Sequence, residues 1–165
     1  MTSVDLFKRG MRRLASGVSI VTTRHNDTYS GLVATAVSSL SGEPPSLLVC
    51  VHRASSSHGL FHKAGVFCVN LLGGADAAIA SSFSSPRKEL RFTEGTWAPL
   101  ITGAPALVDS LASFDCRVAK SIEFETHTIF IGMIEAIELW QDHVAPLLYV
   151  DGRYRTLPSL AAQGA

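Results

Sequence analysis

The chain has 165 residues, which suits one domain with a buried core, and 47% of them are hydrophobic, which argues against a disordered chain or a coiled coil. Its 14 basic residues balance its 14 acidic ones, so no basic face is indicated and we expect no nucleic-acid partner. No apolar run reaches the length of a membrane span and no N-terminal stretch is typical of a signal peptide, so we predict a cytoplasmic protein without membrane contact.

The N-terminal half predicts short strands between two helices. The hydrophobic spacing predicts an amphipathic helix over residues 5–15 and strands over residues 18–23 and 31–40. After a Pro-Pro break, residues 46–51 are continuously apolar, which is typical of a strand buried on both faces. A helix is predicted over residues 55–64, with its first serines as the N-terminal cap.

The C-terminal half is predicted to be mostly strand. Its elements in chain order are a strand over residues 66–71, a small-residue helix over 75–83, a long functional loop over 84–104, and strands over 113–124, 128–139 and 147–150. Six to seven strands with a few flanking helices favour a mainly β fold, an antiparallel Greek-key barrel in a single domain over residues 1–165. A Rossmann domain is not predicted, because no G-x-G-x-x-G turn is present.

The cysteines and histidines do not predict a metal site. Cys50, Cys68 and Cys116 are odd in number, and each lies inside an apolar run, which is typical of reduced core thiols. No Cys-x-x-Cys pair occurs, and the six histidines lack the spacing of zinc ligands. Hydrolytic chemistry is not indicated either, since there is no G-x-S-x-G elbow, and we predict no catalytic side chain.

Four polar segments at the ends of predicted strands are the candidate binding residues. They cover residues 34–39, 50–58, 126–132 and 151–155. Small hydroxyls, exposable backbone N–H groups and single imidazole or guanidinium groups suit a flat, phosphorylated, redox-active cofactor. Each segment also has a plainer interpretation: an edge strand facing water, a helix cap beside a solvated arginine, a structural histidine, and a snorkelling surface cluster.

These segments, in this order, resemble the short-chain flavin reductase family, the reductase components of two-component flavin-dependent monooxygenases. The residues that carry the resemblance are Met11-Arg12-Arg13-Leu14-Ala15-Ser16-Gly17-Val18, Gly31-Leu32-Val33-Ala34-Thr35-Ala36, Pro44-Pro45, Leu48-Val49-Cys50-Val51, Phe67-Cys68-Val69-Asn70-Leu71-Leu72, Arg91-Phe92, Gly103-Ala104-Pro105, His127-Thr128-Ile129-Phe130-Ile131-Gly132 and Pro146-Leu147-Leu148-Tyr149. No single piece is decisive, but the ordered set is specific and covers nearly the whole chain.

The resemblance implies a split β-barrel that binds FMN or FAD, forms a homodimer, and uses NADH or NADPH as hydride donor. The implied flavin-binding residues are Ala34, Thr35, Ala36, Ser38, Ser39, Cys50, Val51, His52, Arg53, Ser55, Ser56, Ser57, His58, Arg91 and Phe92. The implied NAD(P)H-binding residues are His127, Gly152, Arg153, Tyr154 and Arg155. Departures from the family pattern are His52 in place of Asn, Ala54 in place of Ser, and Glu125-Thr126 in place of Gly-Asp; the last bears on the nicotinamide side.

The implied reaction is hydride transfer from the nicotinamide to the flavin, aided by alignment rather than by a side-chain acid. Reduced flavin would then diffuse to a separate flavin-dependent oxygenase. Three alternatives stand beside this one: a non-catalytic flavin- or haem-binding split barrel, a protein similar to pyridoxamine-phosphate oxidase, and a structural interaction module.

Overall fold

The structure, a computed structural model, describes residues 3–157, and this part of the chain forms twelve strands and three α-helices. The strands are β1 Ser16–Gly17, β2 Ser19–His25, β3 Thr28–Ala34, β4 Val37–Gly42, β5 Pro45–His52, β6 Val66–Leu71, β7 Thr96–Pro99, β8 Pro105–Val108, β9 Ala112–Phe124, β10 His127–Leu139, β11 Leu147–Val150 and β12 Arg153–Thr156. The helices are α1 Val4–Met11, α2 His58–Ala64 and α3 Ala77–Ser84, with short 3-10 turns at Gly74–Asp76 and Lys88–Leu90.

All strand pairings are antiparallel, which confirms the mainly β prediction. The large sheet has seven strands in the order β3-β2-β6-β9-β10-β5-β4. Consecutive strands β3 and β4 therefore lie on its two opposite edges. They do not pair with each other, so the barrel is not closed by backbone hydrogen bonds between them. The sheet curls enough to bring Cα atoms of β3 within 8 Å of β5. A smaller sheet, β1-β11-β12, and a hairpin, β7-β8, lie beside it.

Two apolar clusters hold the layers together. The barrel interior is filled by fully buried side chains from several elements, including Val49, Phe61, Phe67 and Phe130. A second cluster joins the large sheet to the small one, and its buried members are Val18, Ile20, Leu72, Ile79, Ala80, Phe83, Leu107 and Leu147. Helix α2 contributes Phe61 to the first cluster, whereas α3 contributes three residues to the second.

Several predicted boundaries were wrong. The helix predicted over residues 5–15 ends at Met11, and its apolar stripe, including Phe7 and Leu14, is exposed. The strand predicted over residues 31–40 is broken at a bend around Thr35. The bend was not predicted, because no glycine or proline marks the turn between β3 and β4. The predicted loop over residues 84–104 contains strand β7, which pairs with the unpredicted β8.

The helix predicted over residues 55–64 begins only at His58, because residues 53–57 form turns. Among residues 3–157, no helix is long and apolar enough to cross a membrane. The three cysteines are free thiols; Cys68 and Cys116 are buried and Cys50 is half-buried.

Candidate functional site

Ser57 is buried at the N-cap position of α2, but its side chain does not cap the helix. Its hydroxyl makes no capping bond; it donates to the Gly31 carbonyl at 2.8 Å and accepts from Ser30 Oγ, also at 2.8 Å. A third bond comes from Arg91 Nη1 at 3.2 Å. A hydroxyl has one proton and two lone pairs, so all three capacities of Ser57 Oγ are used. Ser57 therefore fixes Arg91 against strand β3.

Arg91 is half-buried at the end of the 3-10 turn Lys88–Leu90. Its Nη1 also donates to Ser56 Oγ at 3.4 Å. Among residues 3–157, Arg91 Nε is the one buried side-chain nitrogen or oxygen without a hydrogen-bond partner. Burial lowers the pKa of Arg91 from its usual value, because desolvation disfavours the charged form. A buried guanidinium with a free N–H suits an anionic ligand.

A cavity of about 280 Å³ opens beside this arginine. It is lined by Thr28, Tyr29, Ser30, Ser56, Leu60, Lys88, Arg91 and Phe92. Phe92 has a left-handed backbone, φ 64°, and its ring lies 5.0 Å from both Phe83 and Trp97 and 5.9 Å from Tyr29. This aromatic packing holds the loop that carries Arg91. The cavity thus combines two cations, several hydroxyls and aromatic walls.

Sequence reasoning did not identify Tyr29 and Ser30 as part of this cavity. They follow the Asn26-Asp27 turn in β3, and their own segment carries no distinctive motif. Only the position of β3 beside α2, which the Ser57–Gly31 bond reports, brings them to Arg91.

The loop from β5 to α2 is also tied to the hairpin between β9 and β10. Arg53 N donates to the Thr126 carbonyl at 2.8 Å, and the Arg53 guanidinium lies 3.8 Å from Glu123. His58 Nε2 lies 2.8 Å from the hydroxyl of buried Thr128. Burial is the largest cause that lowers the pKa of His58, followed by the nearby His62, so the neutral imidazole is favoured.

His52 and His127 meet at this hairpin. They are direct partners in the antiparallel pairing of β5 with β10, and their rings contact edge to face with centroids 4.8 Å apart. The structure therefore brings two separately predicted segments, residues 50–58 and 126–132, into one place.

Residues 34–36, which were predicted to bind the cofactor, lie beside the small sheet rather than beside Arg91. Ala34 and Thr35 line a cavity of about 210 Å³ that also includes Tyr149 and Tyr154. The Ala36 carbonyl accepts a hydrogen bond from Cys50 N at 3.0 Å, which joins this bend to β5. The bend at Thr35 thus lies between the β5 segment and the small sheet.

Ser38 and Ser39 lie apart from the Arg91 cavity. Both are exposed residues of edge strand β4, where they line a mostly apolar cavity of about 280 Å³ with side chains such as Leu47 and Phe114. They share no cavity with Ser56 or Arg91 in the described part of the chain.

The segment Gly152–Arg155 belongs to the β11–β12 hairpin of the small sheet. Tyr154 is half-buried against Tyr149, with ring centroids 5.6 Å apart, whereas Arg153 and Arg155 are exposed. Within residues 3–157, no hydrogen bond, ion pair or ring contact joins this segment to His127. The two segments predicted to bind one ligand therefore lie in separate sheets.

The Arg91 side chain, whose Nε is buried without a hydrogen-bond partner, suits an anionic group such as a phosphate. No group of three or more potential metal-binding side chains occurs among residues 3–157. The Arg91 cavity can bind an anionic, partly aromatic ligand. The loop from β5 to α2 connects it to the paired imidazoles of His52 and His127.

Comparison with known proteins shows the family to which the chain belongs. Residues 11–158 match the family described as "Flavin reductase like domain". An FMN reductase (NADH) RutF 1 from a strain of Methylorubrum extorquens is 42% identical over 161 residues, which are 96% of this chain and 79% of that protein. The name of that relative states both an FMN substrate and an NADH donor.

Two solved structures have the same fold. BorF, the flavin reductase component of a bacterial two-component tryptophan halogenase, matches with a TM-score of 0.86 and 29% identity over 95% of this chain and 99% of BorF. The NADH:FAD oxidoreductase SgcE6 of Streptomyces globisporus C-1027, solved with NAD and FAD fragments, matches with a TM-score of 0.87 and 25% identity over 95% of this chain and 94% of SgcE6. The split-barrel prediction is confirmed, and the chain belongs to the flavin reductase-like family.

Proposed function

We propose that this protein is an NAD(P)H-dependent flavin reductase that reduces FMN or FAD with NADH as the hydride donor. The observation that carries the proposal is the Arg91 cavity, where Arg91 Nη1 donates to serine hydroxyls and the buried Nε of the same guanidinium has no hydrogen-bond partner. Flavin nucleotides carry a phosphate that this guanidinium can neutralise. The family match over residues 11–158 and the RutF relative support the same reaction.

The flavin phosphate is assigned to Arg91 and Ser56, with Ser57 holding the arginine in place. The ring and ribityl chain are assigned to residues 34–39 and 50–58. Support for this assignment comes from the bond between Cys50 N and the Ala36 carbonyl, which joins the two segments. Phe92, at the wall of the phosphate cavity, orients the loop rather than donating a bond.

The nicotinamide donor is assigned to His127 and to Gly152, Arg153, Tyr154 and Arg155. Each of these two segments adjoins a different part of the flavin segments: His127 contacts His52, and Tyr154 shares a cavity with Thr35. A donor that spans both segments would lie across the flavin site. Exposed Arg153 and Arg155 are suited to its phosphates.

When bound, the flavin supplies the redox chemistry, since its ring accepts a hydride from a reduced nicotinamide. The protein's own residues bind and orient the two ligands, and no side chain is assigned as an acid or base. Most contacts at the candidate ring segments are neutral hydroxyl and backbone groups, which suits a flavin that is released after reduction. The similarity to BorF, the flavin reductase component of a two-component halogenase, supports a role as the reductase of a two-component system.

Further assignments remain part of the proposal. The chain acts as one flavin reductase-like domain over residues 1–165, forms a homodimer, and passes reduced flavin by diffusion to a separate oxygenase. A cytoplasmic location is supported by the three free thiols. The competing function is that of a non-catalytic flavin- or haem-binding split barrel.

The test is steady-state oxidation of NADH and NADPH by the purified protein with FMN, FAD or no flavin added. Rapid oxidation that requires added flavin is expected, with NADH the better donor. The flavin should also leave the protein during gel filtration. Absence of oxidation with every donor and flavin, together with flavin or haem that stays bound, would favour the non-catalytic binder.

A further inference from the structure

His52 and His127 lie at matching strand ends, where both imidazoles are exposed. An exposed side chain at a strand end samples several rotamers unless a neighbour restricts it. Here the two rings contact edge to face, with an interplanar angle of 73° and 4.8 Å between centroids. Each ring therefore restricts the other.

His52 is also bonded to the backbone of the turn that follows β5. Its Nδ1 accepts a hydrogen bond at 2.9 Å from the backbone N–H of Ala54, in the turn that leads to Ser55. A nitrogen that accepts a hydrogen bond carries no proton, so this bond favours the tautomer with the ring proton on Nε2. The bond fixes both the tautomer and the plane of the His52 ring.

His127 is held more loosely on its own side. Its Nδ1 lies 2.9 Å from the hydroxyl of the adjacent Thr126, a bond within one exposed turn. The backbone of that turn is anchored by the bond from Arg53 N to the Thr126 carbonyl. The backbone of His127 is thus fixed, while its ring orientation depends on Thr126 and on the edge of His52.

We propose that His52 is a positioning residue that connects the flavin-binding turn to the His127 ring. One end of His52 is bonded to the turn at Ala54, and its ring sets the orientation of His127. The inference rests on the proposed function, because it assigns His127 to the nicotinamide donor. This role is additional to the flavin contact proposed for residues 50–58.

Two substitutions separate the two links. His52→Asn keeps an acceptor for Ala54 N, since asparagine bonds its own turn two residues on, but it removes the ring. His52→Phe keeps a ring against His127 but removes the acceptor. His143→Asn, at an exposed histidine of the loop before β11, is the matched control. The three variants and the wild type are compared by KM for NADH and KM for flavin.

The expected result is a split between the two constants. His52→Asn keeps the bond to the turn but loses the ring, so it raises the KM for NADH about two- to tenfold, the effect of one aromatic pair, and by a larger factor than the KM for flavin. His52→Phe keeps the ring but loses the bond to the turn, so it raises the KM for flavin by a larger factor than the KM for NADH. His143→Asn changes neither constant. An unchanged KM for NADH in His52→Asn, or an equal rise of both constants in both variants, would overturn the proposal.

A second measurement does not depend on activity. In the flavin-free protein, NMR resonances of the His127 ring, assigned by their loss in His127→Gln, should shift in His52→Asn and stay nearer to the wild type in His52→Phe. Identical resonances in all three proteins would contradict the positioning role. A wild-type protein that oxidises no nicotinamide donor with any flavin overturns the proposed function instead, and the NMR comparison then decides the His52–His127 relation alone.

Discussion

Arg91 Nη1 donates to Ser57 Oγ over 3.2 Å, across 34 residues of chain, and this bond joins the long loop after α3 to the start of α2. The bond uses one guanidinium nitrogen and leaves Arg91 Nε buried without a partner. Ser57 is itself held by Ser30 and by the Gly31 carbonyl. The arginine is therefore held in place before any ligand arrives, which lowers the entropic cost of binding an anion.

Replacing Arg91 by lysine should weaken flavin binding through the phosphate. Lysine keeps the charge but lacks the planar fork and the Nε donor, so the KM for FMN should rise about tenfold or more. Riboflavin has no phosphate, and its KM should stay unchanged. Steady-state kinetics with both flavins measure the difference.

Arg87→Lys provides the control for this prediction, because Arg87 is an exposed residue of the same loop. It should leave the KM for FMN unchanged. If Arg91→Lys raised the KM for riboflavin as much as that for FMN, the phosphate assignment would be wrong.

Replacing Asn70 by leucine should destabilise the fold. The buried Asn70 amide accepts from Leu107 N and from Ser113 Oγ, each at 2.8 Å, and donates to the Ile20 carbonyl at 3.1 Å. The substitution removes these three buried hydrogen bonds, so the free energy of unfolding should fall by about 3 kcal/mol. Urea denaturation measures it, and a loss below about 0.5 kcal/mol would contradict this account.

Gly132→Ala should also destabilise the protein, by about 1–3 kcal/mol. A Cβ at this position would lie 2.5 Å from Phe67 Cζ and 2.8 Å from Cys116 Cβ, inside the barrel core. Gly10→Ala is the matched control, because no atom lies within 4 Å of its added Cβ and it sits in helix α1. Thermal unfolding should separate the two; equal midpoints would show that the core relaxes around the methyl group.

Ionisation of the Cys116 thiol should make the stability of the fold depend on pH at high pH. Burial raises its pKa from 9.0 to about 12. The folded state therefore keeps the thiol proton that the unfolded state releases above pH 9.0, so the free energy of unfolding is unaffected below that pH and falls as the pH rises towards about 12.

Urea titrations across this pH range test the thiol prediction, with Cys116→Ala for comparison. The variant is less stable at neutral pH but should lose less stability than the wild type between pH 9.0 and about 12. Parallel pH profiles for the two proteins would refute the assignment to Cys116.

The sequence correctly predicted strands that consist of a single apolar run. Strands β6 and β11 have the bounds expected from the sequence, because a continuous or alternating run ends at a clear break. The division between β3 and β4 at Thr35 was missed, since β-branched and small residues continue through the bend. Local spacing also predicted that the first serines of residues 55–64 cap the helix, whereas the Ser57 hydroxyl bonds to Gly31 and Arg91, 26 and 34 positions away.

In the candidate site too, individual residues could be predicted from the sequence, but contacts between residues far apart in the chain could not. The polar residues at strand ends already indicated Ser56 and His127, and the family resemblance implied them together with Arg91. Nothing near Tyr29 indicated that it lines the Arg91 cavity. The contact between His52 and His127 depends on the register of β5 with β10, which a run of apolar residues does not specify. Distances of this kind require the assembled sheet.

The most direct test of the proposed reaction is anaerobic mixing of catalytic amounts of the protein with FMN and NADH, followed by absorbance. The account predicts that the oxidised flavin spectrum disappears at a rate proportional to protein concentration, over many flavin molecules per protein chain, and that oxygen restores it. Flavin that stays oxidised, or reduction limited to one equivalent held on the protein, would contradict a reductase that releases its product.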